Sequence, residues 1–249
     1  MSDAVVVIPA RFGSTRLPGK PLLSLAGKPM IQWVYERASE ISPQIEIIVA
    51  TDDSRIVDAV TAFGGKAMLT PSNIETGSER VGFVAKNLSA DIVINLQGDE
   101  PLISPRAVAT ALQMMREDRA LNLATLGTGL NTEEEWQNPS VVKVLLNEQK
   151  DAIYFSRAPI PYHRDVTFKP ISGLLRHIGV YLYRRDFLLD YLDWPASPLE
   201  ESEKLEQLRI LEKGHRIRVV PTDDFSPGVD TPDDIKIVES LIKERGLFK

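Results

Sequence analysis

The sequence predicts an α/β fold in which a mostly parallel, doubly wound sheet is followed by a lobe built on a mixed sheet. Two patterns carry this reading. Up to Arg116, short apolar runs bounded by turn residues alternate about four times with segments of helical periodicity, the order that βαβ units produce. From Leu121 onward the apolar runs follow one another across loops, as in a mixed or antiparallel sheet. A length of 249 residues, 43% hydrophobic and 26% charged, suits one medium domain with an inserted lobe and excludes a disordered, fibrous or repeat chain.

Val5 to Ala10 is a β-branched run that reads as a strand buried on both faces, and it ends in a loop of Gly, Ser, Thr and Pro. Met30, Ile31, Val34, Tyr35, Ala38 and Ile41 fall on one helical face, and Ile45 to Ala50 is a second buried strand. Asp52 or Asp53 can cap the next helix, whose stripe is Ile56, Val57, Val60 and Phe63 and whose stop is Gly64-Gly65. Lys66 to Thr70 is a third strand, Gly77 to Leu88 a helix, and Asp91 to Leu96 a fourth strand; Ser104 and Pro105 then open a helix to Arg116. In the lobe, Leu121 to Leu126, Val141 to Leu146, Ala152 to Phe155 and His177 to Tyr183 read as strands. Glu200 to Lys213 reads as one helix with Leu205, Leu208 and Leu211 inward and Gly214 as stop, followed by a strand, Ile217 to Pro221, and a closing helix, Pro232 to Arg245.

Composition narrows the function. The absence of cysteine removes disulfide frameworks, thiolate zinc sites and cysteine nucleophiles together. A formal net charge of −6 argues against nucleic acid as a partner. No apolar stretch reaches the roughly 18 residues needed to span a bilayer, and Met1-Ser2-Asp3-Ala4 lacks the start of a signal peptide. The expectation is a cytoplasmic protein without membrane insertion. Local charge runs against the global balance. Ala4 to Tyr35 contains no Asp or Glu, where an even spread of the acids would give about 4.5, and it carries Arg11, Arg16, Lys20 and Lys28. Such a segment suits a small anion.

Three constellations carry chemistry. The loop Pro9-Ala10-Arg11-Phe12-Gly13-Ser14-Thr15-Arg16-Leu17-Pro18-Gly19-Lys20-Pro21 leaves the first strand. It is neither a dinucleotide fingerprint, which needs three glycines, nor a Walker A loop, since five residues separate Gly13 from Gly19 and Pro21 stands where the metal-binding hydroxyl belongs. Its glycines, hydroxyls and fixed cations nevertheless suit a triphosphate better than a plain basic surface loop. The second constellation, Asn95-Leu96-Gln97-Gly98-Asp99-Glu100-Pro101, puts Asp99 at the carboxyl edge of the sheet, as a ligand or as a capping aspartate. In the third, Gly228-Val229-Asp230-Thr231-Pro232-Asp233-Asp234, the last two acids fit the first turn of the closing helix, and Asp230 is either its cap or a metal ligand. A triphosphate loop without its own metal hydroxyl needs carboxylates from elsewhere, since Mg²⁺ takes one or two of them together with phosphate oxygens.

The runs "IPARFGSTRLPGKPL", "INLQGDEP", "YFSRAPIPY", "LRHIGVYLYRRDF", "KLEQLRILEKG" and "GVDTPDD" resemble, in order and over nearly the whole chain, the 3-deoxy-manno-octulosonate (Kdo) cytidylyltransferases, or CMP-Kdo synthetases. The resemblance implies transfer of CMP from CTP to the anomeric hydroxyl of Kdo, with Mg²⁺ as cofactor and pyrophosphate as the second product. It implies a Rossmann-like nucleotidyltransferase in which residues 1–249 form one domain, with an inserted mixed-sheet dimerisation lobe at about 130–190 and a homodimer. Carried over, it makes Lys20, Asp99 and Asp230 catalytic, the two aspartates as metal ligands. It places Ala10, Arg11, Ser14, Lys20, Gly77, Ser78, Arg80 and Gln97 around the nucleotide. Arg157, Arg164, His177, Tyr181, Glu206 and Gln207 then take the sugar acid, a mixture that suits a carboxylate among hydroxyls. By pattern alone His177 reads equally as a core histidine, Tyr181 as packing and Glu206 as a solvated helix charge. Competing activities are cytidylyl transfer to 8-amino-Kdo or sialic acid, and a silent nucleotide-binding module, against which the intact Lys20, Asp99 and Asp230 speak.

Overall fold

The computed structural model describes residues 3–13, 17–165, 167–224 and 226–247. Strand β1 (Ala4–Ala10) is buried along its whole length, as a run with no polar face requires. A short hairpin, β2 (Ser24–Leu25) and β3 (Lys28–Pro29), leads into α1 (Met30–Ser39). There follow β4 (Glu46–Thr51), α2 (Ser54–Ala62), β5 (Ala67–Leu69), α3 (Gly77–Ala85), β6 (Ile92–Leu96) and α4 (Pro105–Glu117). The later elements are β7 (Leu123–Gly129), α5 (Glu133–Gln137), β8 (Lys143–Leu146), β9 (Ala152–Ser156), β10 (Leu174–Arg184), α6 (Arg185–Leu192), α7 (Pro198–Glu203), α8 (Gln207–Glu212), β11 (Arg218–Thr222) and α9 (Pro232–Glu244). Two compact units result: Met1–Ala109 with Ser226–Lys249, and Thr110–Phe225. The second extends well beyond the lobe of about 130–190 expected from the sequence. Among the described residues no helix is long and apolar enough to cross a membrane.

In the first unit β1 pairs in parallel with β4 on one side, Val5 opposite Glu46 through Ala10 opposite Thr51, and with β6 on the other; β5 adds in parallel to β4. The carboxyl ends of β1, β4 and β6 therefore emerge on one edge. Asp53 caps α2 by accepting from the Arg55 amide, and Thr76 with Glu79 forms a capping box on α3. Helix α9 is capped by Thr231, boxed with Asp234, so Asp230 is not the cap. Its apolar face joins Leu25, Met30, Trp33, Leu102 and Val229 in one core through Val238 and Ile242. The hairpin is tied to this core twice: the Trp33 indole donates to the Leu25 carbonyl at 2.8 Å, and the Ala26 amide donates to Glu239 at 2.8 Å.

The second unit holds the expected mixed sheet. β11 runs parallel to β7, β10 antiparallel to β7 and β8, and β8 antiparallel to β9, with a bulge in β10 between Ile178 and Tyr181. The strands are not separated by loops alone, since α5 and α6 intervene; α6 buries Phe187, Leu188 and Tyr191 along one face. The expected helix from Glu200 to Lys213 is two helices. Lys204 ends α7 in the left-handed region, φ 54°, with its amide on the Glu200 carbonyl. Arg209 then binds back to both carboxylate oxygens of Glu200 at 2.6 Å, which fixes the angle of α8. A buried ammonium, Lys143, donates to the carbonyls of Asn138, Val141 and Arg157 at 2.6–2.9 Å.

A side chain at a left-handed position costs about 1 kcal/mol relative to glycine. Lys204→Gly should raise the melting temperature by about 2–4 °C and Lys204→Val should lower it. Calorimetry of the two variants checks this; equal shifts of both would show that the turn is not what limits the break.

Candidate active site

The loops that leave β1, β6 and the segment before α9 line a cleft of about 440 Å³ in the first unit. Parallel-sheet geometry places it where the sequence reading expected a ligand, beyond the carboxyl ends of the strands. Close backbone approach makes the floor. A Cβ on Gly98 would lie 2.9 Å from the Pro9 carbonyl oxygen, and one on Gly77 would lie 3.3 Å from Gln97 Oε1, so bare glycines let the ends of β1, β6 and α3 converge.

Lys20 sits at the start of a 3-10 turn, Lys20–Leu22, entered through left-handed Gly19 at φ 68°. Its ammonium donates to Asp99 Oδ2 at 2.7 Å and to Asp230 Oδ1 at 2.9 Å. Burial works to lower the Lys20 pKa, but the attraction of Asp99 and the hydrogen bonds to both carboxylates outweigh it, and the pKa stands above that of a free lysine. Two aspartates 131 positions apart in sequence thus share one side-chain cation, the Lys20 ammonium. Asp99 and Asp230 keep 36% and 59% of their side-chain surface, which leaves both able to receive further ligands.

The nucleotide set inferred from the resemblance is largely gathered here. Ala10, Arg11, Gly77, Arg80 and Gln97 line the cleft with Lys20, Asp99 and Asp230. Arg80 is fully buried, bound to the Thr70 hydroxyl, to the carbonyls of Pro71 and Ile74, and to Asp52 Oδ2 at 3.1 Å. Burial, set against the attraction of Asp52, and the nearby positive charge of Arg11 lower its pKa. Ser78 is buried in the first turn of α3 and is not part of the lining. Ser14 lies outside the described residues. Three contributors have no role in the site predicted from the sequence: Gly98; Asp52, a candidate helix cap that instead braces Arg80; and Asn95, whose Oδ1 accepts from Gln97 Nε2 at 2.9 Å. The signal for Asp52 and Asn95 was their position at the carboxyl ends of β4 and β6.

The residues assigned to the sugar acid lie in the second unit, where part of them cluster. The rings of His177 and Tyr181 are 5.4 Å apart, and His177 also meets Phe155 edge-on at 5.0 Å. The Thr125 hydroxyl donates to the Val180 carbonyl at 2.6 Å, so His177 Nε2, 3.0 Å from that oxygen, is the protonated ring nitrogen. Burial pushes the His177 pKa down to about 3, and the ring is neutral. Burial first, then the charges of Glu206 and Tyr191, hold the Tyr181 hydroxyl well above the usual phenol range. Gln207 opens α8, buried, with its Nε2 lacking a hydrogen-bond partner among the described residues; an unpaired buried donor is costly until something accepts from it. Two assigned cations fit less well. The guanidinium of Arg157 is spent on the carbonyls of Glu203, Pro139 and Lys204 at 2.8–3.4 Å, and Arg164 is exposed on a loop.

Residues 5–217 match the family model described as cytidylyltransferase. The chain is 51% identical over 244 residues to the 3-deoxy-manno-octulosonate cytidylyltransferase of Escherichia coli, covering 98% of each chain. It is 49% identical over 243 residues to that of Syntrophotalea carbinolica, covering 95% of this chain and 97% of the other. A solved structure of CMP:2-keto-3-deoxy-manno-octonic acid synthetase complexed with CTP superimposes with a TM-score of 0.91 at 50% identity, covering 98% of this chain and 100% of that one. With the whole chain matched at this level, and with the sheet-edge cleft holding Lys20, Asp99 and Asp230 together, the protein belongs to the 3-deoxy-manno-octulosonate cytidylyltransferase family.

Proposed function

We infer that the protein transfers CMP from CTP to Kdo. The anomeric oxygen of Kdo attacks the α-phosphorus, the bond from that phosphorus to the bridging oxygen breaks, pyrophosphate leaves, and the hydroxyl proton is released. The observation that carries this reading is the cleft in which Lys20 stands between Asp99 and Asp230 with Arg11 and buried Arg80 alongside. A cationic wall and a pair of carboxylates are what an in-line displacement at a triphosphate needs. The relatives at about 50% identity, all named for Kdo, favour it over sialic acid as acceptor.

Arg11 and Lys20 bind the triphosphate and draw negative charge toward the departing pyrophosphate. Gln97, with its amide tied to Asn95, and Gly77 at the start of α3 line the same cleft and bound the nucleotide there. The donor set fits Mg²⁺. Asp99 and Asp230 already converge on one positive charge; two carboxylates, phosphate oxygens and water are the ligands Mg²⁺ prefers. When bound there it would neutralise phosphate charge and lower the pKa of an adjacent hydroxyl. In the second unit neutral His177, Tyr181, Glu206 and Gln207 offer donors and acceptors to the sugar hydroxyls. This reading extends to a cytoplasmic homodimer that activates Kdo for lipopolysaccharide or capsule.

Lys20→Ala should lower turnover at saturating CTP by about 10²–10³, as loss of one transition-state contact does, with the circular dichroism of the wild type. Retention of most activity would remove Lys20 from the triphosphate site. Asp99→Ala and Asp230→Ala should each abolish most turnover and blunt its response to Mg²⁺. The double variant should be little worse than the poorer single, because groups acting on one step are non-additive. Multiplicative losses in a Mg²⁺ titration would separate the two aspartates.

His177→Gln should raise the KM for Kdo far more than that for CTP. It should also change acid stability. Between about pH 3 and the unfolded value near 6.5, the unfolded chain binds a proton that the folded ring refuses, so His177 makes stability fall as pH drops through that window. Urea melts at pH 7 and pH 4.5 should show a smaller loss for the variant than for the wild type; equal losses would mean that the ring titrates normally in the fold.

A further inference from the structure

Phe12 differs from its neighbours in the β1 loop. Ala10, Arg11 and Gly13 line the cleft, whereas Phe12 does not; the Arg55 guanidinium lies over its ring, 3.3 Å from the centroid. That guanidinium is fixed by a two-pronged pair with Asp53, Nε to Oδ1 at 2.8 Å and the terminal nitrogen to Oδ2 at 2.6 Å. The same Asp53 caps α2 and its own amide donates to Thr51 Oγ1 at 3.3 Å, so the pair is anchored to the end of β4. The Phe12 ring also packs on Gly19, where a Cβ would lie 3.2 Å from two ring carbons, and the Gly19 amide donates to the Phe12 carbonyl at 3.0 Å. Lys20 is the next residue and opens the 3-10 turn.

We propose that Asp53, Arg55 and Phe12 form a clamp that positions Lys20 from the end of β4. Arg55 is then a positioning residue for CTP, acting through the Phe12 ring and Gly19 without touching the substrate. A surface ion pair alone would contribute little. A guanidinium held over an aromatic ring by a bidentate carboxylate is better defined, because its planar fork is pre-ordered. The clamp rests on the assignment of this cleft to the nucleotide, and the test keeps the two separate.

CTP affinity, the two Michaelis constants and unliganded melting temperature would be measured for the full chain and for Arg55→Ala, Phe12→Leu, their double, Phe12→Tyr and Asp53→Asn, with Lys20→Ala as control. An exposed cation–π contact predicts a loss of about two- to fivefold in CTP affinity for Arg55→Ala and for Phe12→Leu. The double should lose no more than either single, since both remove one contact. Phe12→Tyr should bind as the wild type does, and Asp53→Asn, which keeps the helix cap, should weaken CTP without lowering the melting temperature. The KM for CTP should move and that for Kdo should not. Wild-type CTP binding by Arg55→Ala, while Lys20→Ala is impaired, overturns the clamp alone. Wild-type binding by both overturns the nucleotide cleft and the clamp with it. Equal shifts in both Michaelis constants, in parallel with a lowered melting temperature, also overturn the clamp, since they mean general loosening of the fold.

Discussion

Burial of β1 on both faces and both edges is the constraint on which the first unit depends. Its seven residues are all buried, with β4 on one side and β6 on the other, and a strand so enclosed cannot slip register without exposing a hydrophobic run. All neighbours run parallel, so every loop from a carboxyl end emerges on the same edge. That alone brings Ala10, Thr51 and Leu96 to one place and delivers Arg11, Asp52 and Gln97 just beyond them. The two glycines complete the arrangement, since side chains at Gly77 and Gly98 would hold these segments apart.

Charge then decides what such an edge can hold. Two carboxylates facing one cleft repel each other, and at the effective dielectric of a protein surface unit charges about 4 Å apart interact by about 4 kcal/mol. Lys20 relieves this by binding both, and its raised pKa records that their attraction exceeds its own desolvation. The group of three still carries net negative charge, whereas Arg11 adds a cation to the rest of the cleft, the charge of Arg80 being balanced by Asp52. A polyphosphate held with a dication complements both regions, and a simple anion complements only one.

Much of this was legible because local rules and the global fold agree here. Uninterrupted apolar runs gave β1, β4 and β6, Ser104-Pro105 gave the start of α4, and the acid-free stretch marked the segment whose Arg11 and Lys20 line the cleft. The failures have identifiable causes. The break at Lys204 was hidden because a lysine occupies the left-handed position where a glycine would have signalled it. Helix α6, at eight residues, is too short for its period to stand out beside the strand before it. The burial of Arg80 and the use of Arg157 on three carbonyls depend on contacts with distant backbone, and sequence types a guanidinium without saying what it binds. The contact of Arg55 with Phe12 was invisible for the same reason.

The segment before α9 shows how one residue resolves two uses of another. Asp and Thr both make good N-terminal caps, and in Gly228-Val229-Asp230-Thr231-Pro232-Asp233-Asp234 either could have closed the helix. Thr231 takes the cap and Asp234 reciprocates by accepting from the amides of both Thr231 and Asp230. The backbone of Asp230 is thereby fixed while its carboxylate is left outside the helix, 2.9 Å from Lys20. Had Asp230 been the cap, its oxygens would have been turned to the first amides of α9 and away from the cleft. The core formed by Val229, Val238 and Ile242 with Leu25, Met30 and Trp33 then holds this helix end against the hairpin that follows Lys20. Apolar packing thus helps bring the ammonium and its second carboxylate, 210 residues apart in sequence, within reach of each other.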